Sequence, residues 1–360
     1  MTSFALLNGS SDEELARWLA LWKAWPEREV FAHPAYVKLF CRETDQPVCA
    51  AYDGQQGGVL YPLILRPLES EPWADRGNGL ADLVSPYGYG GPFYWGDVDH
   101  SDFWNSFNAW AKNTGIVSCF TRLSLFAEQI LPVQGSIEKN APNIVRVLNL
   151  PLEALWMQYE HKVRKNVKRA RSDGVTVEMD FRGAKLDEFM DIYSSTMQRR
   201  MASESYFFSA DFFRTIINEL PGQYAFFHAI KEGRMISSEL VLISVRYLYS
   251  FLGGTLSEAF ASRPNDLLKH HIIHWGLETG KTAFVLGGGY GGPDGIFRFK
   301  RSFAPDGEVS FFVNKMIWNE GLYKEIMEMR RKYEASKGIT WVPRPAFFPE
   351  YRGRCNITVL

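Results

Sequence analysis

The residues best suited to chemistry lie in VLGGGYGGPDGIFRFKRSF, residues 285–303, where a Gly-rich stretch ends a strand-like run and leads into Arg298, Lys300 and Arg301. Read as an extended segment, the period of two puts Arg298 and Lys300 on one face and Phe297, Phe299 and Arg301 on the other. Two fixed cations side by side can stabilise an oxyanion or grip a phosphate. Gly288, Gly289, Tyr290 and Asp294 are candidates to touch a ligand; no carboxylate stands out as a general base, and Asp294 is the nearest in sequence to the cations for that role. The plain alternative is an amphipathic edge strand.

A second aromatic and Gly-rich segment is ADLVSPYGYGGPFYW, residues 81–95, with Tyr87, Tyr89, Phe93 and Tyr94 interleaved with Gly88, Gly90 and Gly91. Glycine lets backbone approach a ligand closely, and tyrosine offers stacking area with a hydrogen-bonding tip. The segment is therefore expected to form part of a cleft wall. The densest charge is HKVRKNVKRAR, residues 161–171, with Lys162, Arg164, Lys165, Lys168, Arg169 and Arg171 and no acid. Two readings stand side by side: a solvated helix whose last turn favours cations, or a patch for the phosphates of an RNA or of a nucleotide- or lipid-linked sugar.

Several motifs nearly match and fail. Gly276 to Thr282 resembles a phosphate loop but has three residues between its glycines where four are needed, so a helix C-cap at Gly280 explains it better. Gly287, Gly289 and Gly292 satisfy GxGxxG after a strand, yet Pro293-Asp294-Gly295 stands where a dinucleotide fold needs a helix to open. The [RQ]xxGx[GA] loop of ordinary acetyl-coenzyme A transferases is absent; Gln55 with Gly58 fails at Leu60. His270 and His274 are four apart on one helix face without an HExxH glutamate or a third ligand, so no metal is expected. No GxSxG elbow occurs. Cys41, Cys49, Cys119 and Cys355 form no CxxC pair and read as reduced thiols.

These residues need elements to hold them. At 360 residues the chain is long enough for about two domains, and 40 Lys+Arg against 41 Asp+Glu excludes a wholly basic nucleic-acid protein. Hydrophobic residues make up 46% and aromatic ones 15%, enough for large cores. The N-terminus lacks a basic region followed by an apolar one, and no run of 18 or more apolar residues occurs, so a cytoplasmic protein without a membrane span is expected. In the first 150 residues, helices are expected over 12–25 (capped by Ser10 or Ser11) and 101–115, with strands at 57–68, 116–126 and 143–150. Leu152, Leu155, Tyr159, Val163, Val167 and Ala170 form one stripe of a single helix that stops at Gly174. A strand at 175–181, helices over 186–201 and 210–220, and a hairpin turning at Glu232-Gly233 follow. A helix at 265–280, a strand at 282–288 and a C-terminal helix near 322–336 complete the pattern. It is an α+β chain dividing near Pro151.

Taken together, HKVRKNVKRARSDGVTVEMD, DLVSPYGYGGP and LGGGYGGPDGIFRFKRSF with its FK dipeptide resemble the FemAB-type aminoacyltransferases, in the right order and over roughly residues 30–325. The resemblance implies two tandem GNAT-like domains, each a mixed sheet flanked by helices: residues 1–150, then 151–315 with the donor and acceptor cleft, and a segment 316–360 returning to the first domain. It implies transfer of an acyl or aminoacyl group to an amine of a nucleotide- or lipid-linked cell-envelope precursor, of the peptidoglycan or surface-polysaccharide kind. The donor would be aminoacyl-tRNA or acyl-CoA, with no permanently bound cofactor. By the same resemblance Lys300 is the catalytic lysine, with Arg298 beside it. Arg199 or Arg200 would hold a precursor phosphate, and Lys38 matches an early lysine of the family pattern. The Lys/Arg helix at 161–171 is the remaining support for tRNA, and transient contact with a membrane surface is compatible with it. The alternatives are an acetyl-CoA-dependent sugar N-acetyltransferase and a non-catalytic carrier-binding module.

Overall fold

A computed structural model describes residues 3–54, 56–74, 79–289, 294–345 and 347–353. The chain forms two compact units: residues 1–26, 31–140 and 311–360 make the first, and residues 27–30 and 141–310 the second. The change of unit thus falls between Asn140 and Ala141, inside a strand, ten residues before Pro151. The C-terminal segment from Phe311 onward belongs to the first unit.

The first part of the chain contributes β1 (Ser3–Asn8), α1 (Asp12–Ala24), α2 (Pro34–Lys38), β2 (Gln46–Asp53), β3 (Gly57–Pro67), β4 (Ala81–Val84), β5 (Phe93–Gly96), α3 (His100–Asn113), β6 (Ile116–Arg122) and β7 (Ser136–Val147). Ser11 is the N-cap of α1 but makes no side-chain cap bond; Glu14 instead accepts from the backbone N–H of Asn8 at 2.6 Å. β3 lies inside the sheet although it carries Pro62, a residue that favours an edge. β2 pairs along its whole length on one side, while on the other β5 pairs with residues 57–60 and β4 with 64–67. Pro62 falls in the gap between them, where a missing donor costs least.

The second unit holds α4 (Leu152–Gln158), α5 (His161–Ser172), β8 (Thr176–Asp180), α6 (Leu186–Arg199), α7 (Ala210–Glu219), β9 (Tyr224–Lys231), β10 (Arg234–Ile243), β11 (Tyr247–Thr255), α8 (Pro264–Glu278), β12 (Ala283–Gly287) and α9 (Gly295–Arg301). Its strands run β7-β12-β11-β10-β9-β8; β11 and β12 are parallel and the other pairs antiparallel. The expected hairpin is present, and Glu232 (φ 51°) and Gly233 (φ 76°) both take the left-handed conformation of a tight turn. Its second run splits at residues 244–246 into β10 and β11.

Helices cover both faces of this sheet. Adjacent residues of a strand point to opposite sides. Phe226 meets Phe189 with ring centroids 4.9 Å apart, on the α6 and α7 side, while Phe227 meets Trp275 at 5.6 Å, on the α8 side. The single helix expected over 152–173 is broken: Tyr159 (ψ 148°) and Glu160 (ψ 146°) are extended, and Tyr159 turns its ring into the core against Phe303. Both α5 and α8 stop on glycines with positive φ, Gly174 and Gly280. At Gly280 the backbone N–H of Lys281 reaches the carbonyl of Gly276 (2.8 Å) and that of Gly280 reaches Leu277 (3.1 Å), the Schellman pattern. The near-match to a phosphate loop is therefore a helix end.

Residues 27–30 are held within the second unit by Glu29, which accepts from Tyr249 (2.8 Å), and by the N–H of Val30, which donates to Ser244 (2.9 Å). The final part of the chain adds β13 (Glu308–Ile317) and α10 (Glu320–Ser336); residues 313–317 of β13 pair antiparallel with β6. In the first unit, Asp82 is fully buried and receives Arg66 and Arg352, each at 2.6 Å, so the C-terminal tail is tied to β4.

Candidate active site

The cationic segment is a helix. Asp294 accepts the backbone N–H of Phe297 at 2.7 Å, caps α9 and turns the chain at Gly295 into helical geometry. The extended reading of Arg298 and Lys300 is overturned, as is the expectation that no helix opens after Pro293. Two residues along a helix rotate by about 200°, so the two side chains leave opposite sides. Phe297 goes into the core, Arg298 is exposed, and Lys300 turns back so that its Nζ donates to the carbonyl of Gly288 at 2.7 Å. The expected pair of adjacent catalytic cations is thereby separated, and Lys300 alone sits at the end of β12.

The second unit also holds a buried ion pair that the sequence reading did not single out. Lys269 on α8 donates to Glu239 on β10 and, at 2.8 Å, to Ser250 on β11. Lys269 is 5% exposed and Glu239 4% exposed. Glu239 lies opposite Phe227 in the β9–β10 register, so it shares the face on which α8 packs. The Nζ of Lys269 also lies 5.5 Å from the centroid of the Phe284 ring on β12. Burial first and the Lys269 cation second bring the pKa of Lys300 down to about 8, against the opposing pull of Glu239 and Asp294. A lysine at that value is charged in roughly nine of ten molecules at pH 7 and releases its proton far more readily than an exposed lysine.

The strands open beside this cluster. β11 pairs with β12 only over residues 247–249, although β11 continues to Thr255 against β10. Past Tyr249 and Val285, β12 keeps its pairing with β7 while β11 follows β10. Gly254 lets α6 press against β11, since a Cβ there would lie 2.5 Å from Thr196 Oγ1.

The other expected residues fall in different places. Gly288 packs tightly, a Cβ there lying 3.0 Å from the carbonyl of Pro142; Gly289 follows it, and Tyr290 lies outside the described residues. Arg199, at the end of α6, donates to the carbonyl of Thr255 at 3.0 Å and lies 5.0 Å over the Phe260 ring; Arg200 is exposed beside it. On α5, Lys165 and Lys168 are exposed, Lys162 pairs with Glu160 (3.1 Å) and Arg169 with Asp173 (3.7 Å). Arg164 departs from the expected basic face: it folds back onto the carbonyls of Met157 and Tyr159 and closes the end of α4. His270 is buried against Trp156 and Tyr159 with its pKa lowered to about 4 by burial, whereas His274 pairs with Glu278 at 3.4 Å.

Lys38, Tyr87, Gly88 and Tyr89 belong to the first unit. Lys38 is exposed at the end of α2. The carbonyl of Tyr87 accepts from the buried Tyr36 hydroxyl at 2.8 Å, while the Tyr87 side chain remains 41% exposed. Tyr89 stands edge-on to Phe31 (5.5 Å) and Phe311 (5.6 Å). Gly88 has φ 105°, and a Cβ there would come 2.5 Å from the Phe31 ring, so packing already accounts for this glycine.

Comparison with known proteins bears on residues 158–301, which match the acetyltransferase (GNAT) domain family. The matched span lies within the second unit. That span includes Arg199, Glu239, Ser250, Lys269 and Lys300, and the opening between two parallel strands lies within it. The UDP-N-acetylmuramoylpentapeptide-lysine N(6)-alanyltransferase of Weissella viridescens is 24% identical over 183 residues, 47% of this chain; the match spans about half, 51%, of that relative's length. Among solved structures, FemX is similar in fold with a TM-score of 0.64 at 13% identity, covering 87% of this chain and 98% of FemX. The C-terminal domain of a putative lysylphosphatidylglycerol synthetase from Agrobacterium fabrum is similar with a TM-score of 0.53 at 14% identity, over 91% of this chain and 98% of that one. The GNAT fold expected from the sequence is the fold observed.

Proposed function

We propose that the protein is an aminoacyltransferase that moves an amino acid from an activated ester to an amine of a nucleotide-linked cell-envelope precursor. The observation that carries this reading is Lys300, whose Nζ is held on the carbonyl of Gly288 at the end of β12 within the span that matches the GNAT domain family. The attacking amine must be neutral. Its nitrogen bonds to the acyl carbon, negative charge gathers on the carbonyl oxygen, and the Lys300 ammonium stabilises that charge. Collapse of the intermediate breaks the carbon–oxygen bond to the donor; the nitrogen gives up one proton and the leaving oxygen takes one up. Arg199 and Arg200 face the precursor's phosphates. The exposed cations of α5, with Lys165 and Lys168 foremost, receive the phosphates of a charged tRNA. Asp294 holds the helix that carries Lys300.

The family description as an acetyltransferase favours a second reading, N-acetylation of a sugar amine by acetyl-CoA. Against it, the stretch SEAFASRP that leads into α8 contains no glycine, and α8 opens on Pro264, which has no N–H to offer a pyrophosphate. Lys300 takes the same role with either donor. No helix of the described residues is long and apolar enough to cross a membrane. Incubating the protein with UDP-N-acetylmuramoylpentapeptide and either radiolabelled alanyl-tRNA or acetyl-CoA separates the readings. Label transferred from the tRNA supports the first, label from acetyl-CoA alone replaces it with the second, and transfer from neither removes both.

A further inference from the structure

α9 has seven residues, fewer than two turns, and a helix that short does not hold itself in place in water. Its N-terminal end is capped by Asp294, and its C-terminal end is tied down by Arg146. Arg146 stands on β7 opposite Phe284 of β12 and is only 6% exposed. Its Nη1 donates to the carbonyl of Phe303 at 3.3 Å and its Nη2 to the side-chain oxygen of Gln158, the last residue of α4. A second tie runs alongside. The extended Tyr159-Glu160 pair turns the N–H of Glu160 onto the carbonyl of Ser302 at 3.0 Å, and the Tyr159 ring meets the Phe303 ring at 5.5 Å. The break between α4 and α5 is thus the seat on which α9 ends. Burying a guanidinium costs desolvation energy, and here its partners are a carbonyl and an amide oxygen, with Nε lacking a hydrogen-bond partner among the described residues. An apolar side chain would fill the space without that cost, so what the position uses is the two-pronged donor.

We propose that Arg146 is a positioning residue for the transfer reaction: by fixing the C-terminal end of α9 it fixes where Lys300 presents its ammonium. The proposal rests on the reading of Lys300 as the oxyanion-stabilising group. The path is a chain of direct contacts. Arg146 holds the Phe303 carbonyl, the Phe303 N–H donates to the carbonyl of Lys300 at 3.1 Å, and Lys300 Nζ donates to the carbonyl of Gly288 at 2.7 Å. β7, which carries Arg146, pairs with β12, which leads into Gly288, so both ends of the path stand on one ladder. A shift of about 1 Å at a reacting group can cost on the order of 100-fold in rate, so loosening this end of α9 should slow the chemical step without weakening substrate binding.

The test joins a double-variant cycle to amide hydrogen exchange. With UDP-N-acetylmuramoylpentapeptide and alanyl-tRNA, Arg146→Met should lower kcat about tenfold and leave both KM values within about twofold. In a Lys300→Met background the same substitution should lower the remaining rate by less than about twofold, because the group that Arg146 places is already gone. An unchanged kcat in the single variant overturns the proposal. So does a full further loss of about tenfold in the Lys300→Met background, the result expected of a merely structural residue. Without substrates, Arg146→Met should speed exchange at the amides of Glu160, Ser302 and Phe303 at least about tenfold and leave those of β9 and β10 unchanged; unaltered exchange overturns the anchor. Should Arg146→Met unfold by circular dichroism, Gln158→Met removes only the partner of Nη2 and should lower kcat about threefold, again with no effect in the Lys300→Met background. An unchanged kcat in Gln158→Met then overturns the proposal. If no transfer occurs, or Lys300→Met transfers as fast as the unsubstituted protein, the reading of Lys300 falls and the positioning role with it. Accelerated exchange would in that case still show that Arg146 holds α9, which separates the two failures.

Discussion

The Nζ of Lys300 donates to the carbonyl oxygen of Gly288 at 2.7 Å, joining the last turn of α9 to the residue that follows β12. The bond aims an ammonium along the end of a strand that has parted from its parallel neighbour. Removing the ammonium tests its role: Lys300→Met should lower transfer by about 10²–10³-fold, the effect typical of losing one oxyanion donor. Unchanged activity would remove Lys300 from the chemistry.

The pH dependence has a definite sign. The folded pKa of Lys300, about 8, lies below the ordinary lysine value of 10.5, so the unfolded chain binds this proton more tightly than the folded one. Lys300 therefore opposes folding below about pH 8, and this penalty diminishes as pH rises from 8 toward 10.5. Lys300→Met should accordingly leave the melting temperature at neutral pH at or above that of the unsubstituted protein. Lys300 acts in its charged form while the attacking amine must be neutral, so the ratio of the unsubstituted protein's kcat/KM to that of Lys300→Met, which cancels the amine's own titration, should fall as pH passes upward through about 8 within pH 6–10. A ratio that climbs through the same range assigns Lys300 the opposite protonation state.

Asp82 provides a stability test in the first unit. It is fully buried between Arg66 and Arg352, and Asp82→Asn leaves two guanidinium groups short of their carboxylate. A loss of about 3–5 kcal/mol is expected in urea unfolding, with the C-terminal tail becoming accessible to protease. A loss below about 1 kcal/mol would show the network to be dispensable.

Gly88→Ala should destabilise by about 1–3 kcal/mol, because the φ of 105° strains any Cβ and the Phe31 ring lies 2.5 Å from where it would stand. A control at Gly174, where φ is also positive but a Cβ would meet nothing within 4 Å, should cost less. Equal losses at the two sites would mean that packing against Phe31 contributes nothing.

The basic face of α5 predicts a donor-specific effect. Lys165→Glu/Lys168→Glu should raise the KM for charged tRNA at least tenfold at low salt and leave the melting temperature unchanged, since both side chains are exposed. An unaltered KM, or an equal effect on acetyl-CoA use, would take tRNA off this helix.

Much of this was legible in the sequence because it depends on local pattern. The buried stripe of Leu155, Val163, Val167 and Ala170, the turn at Glu232-Gly233 and the glycine stop at Gly280 follow from periodicity and backbone freedom. The break at Tyr159-Glu160 was not legible, since the apolar stripe runs through it without a proline or glycine. The segment after Pro293 alternates charge and aromatic in a way that suits a strand, yet Asp294 caps a helix and the short helix that follows overrides the alternation. Lys269 and Glu239 are 30 residues apart, and only the packing of α8 on β10 brings them together. The signal that could have found them is a lone charge of opposite sign within each of two apolar runs, LLKHHII and SSELVLI.

The central claim is most directly tested by mass spectrometry of UDP-N-acetylmuramoylpentapeptide after incubation with the protein and alanyl-tRNA, run in parallel with Lys300→Met. The account predicts a product heavier by one alanyl residue, formed at least a hundredfold more slowly by the variant. An unmodified precursor with this donor, or equal product from both proteins, would contradict it.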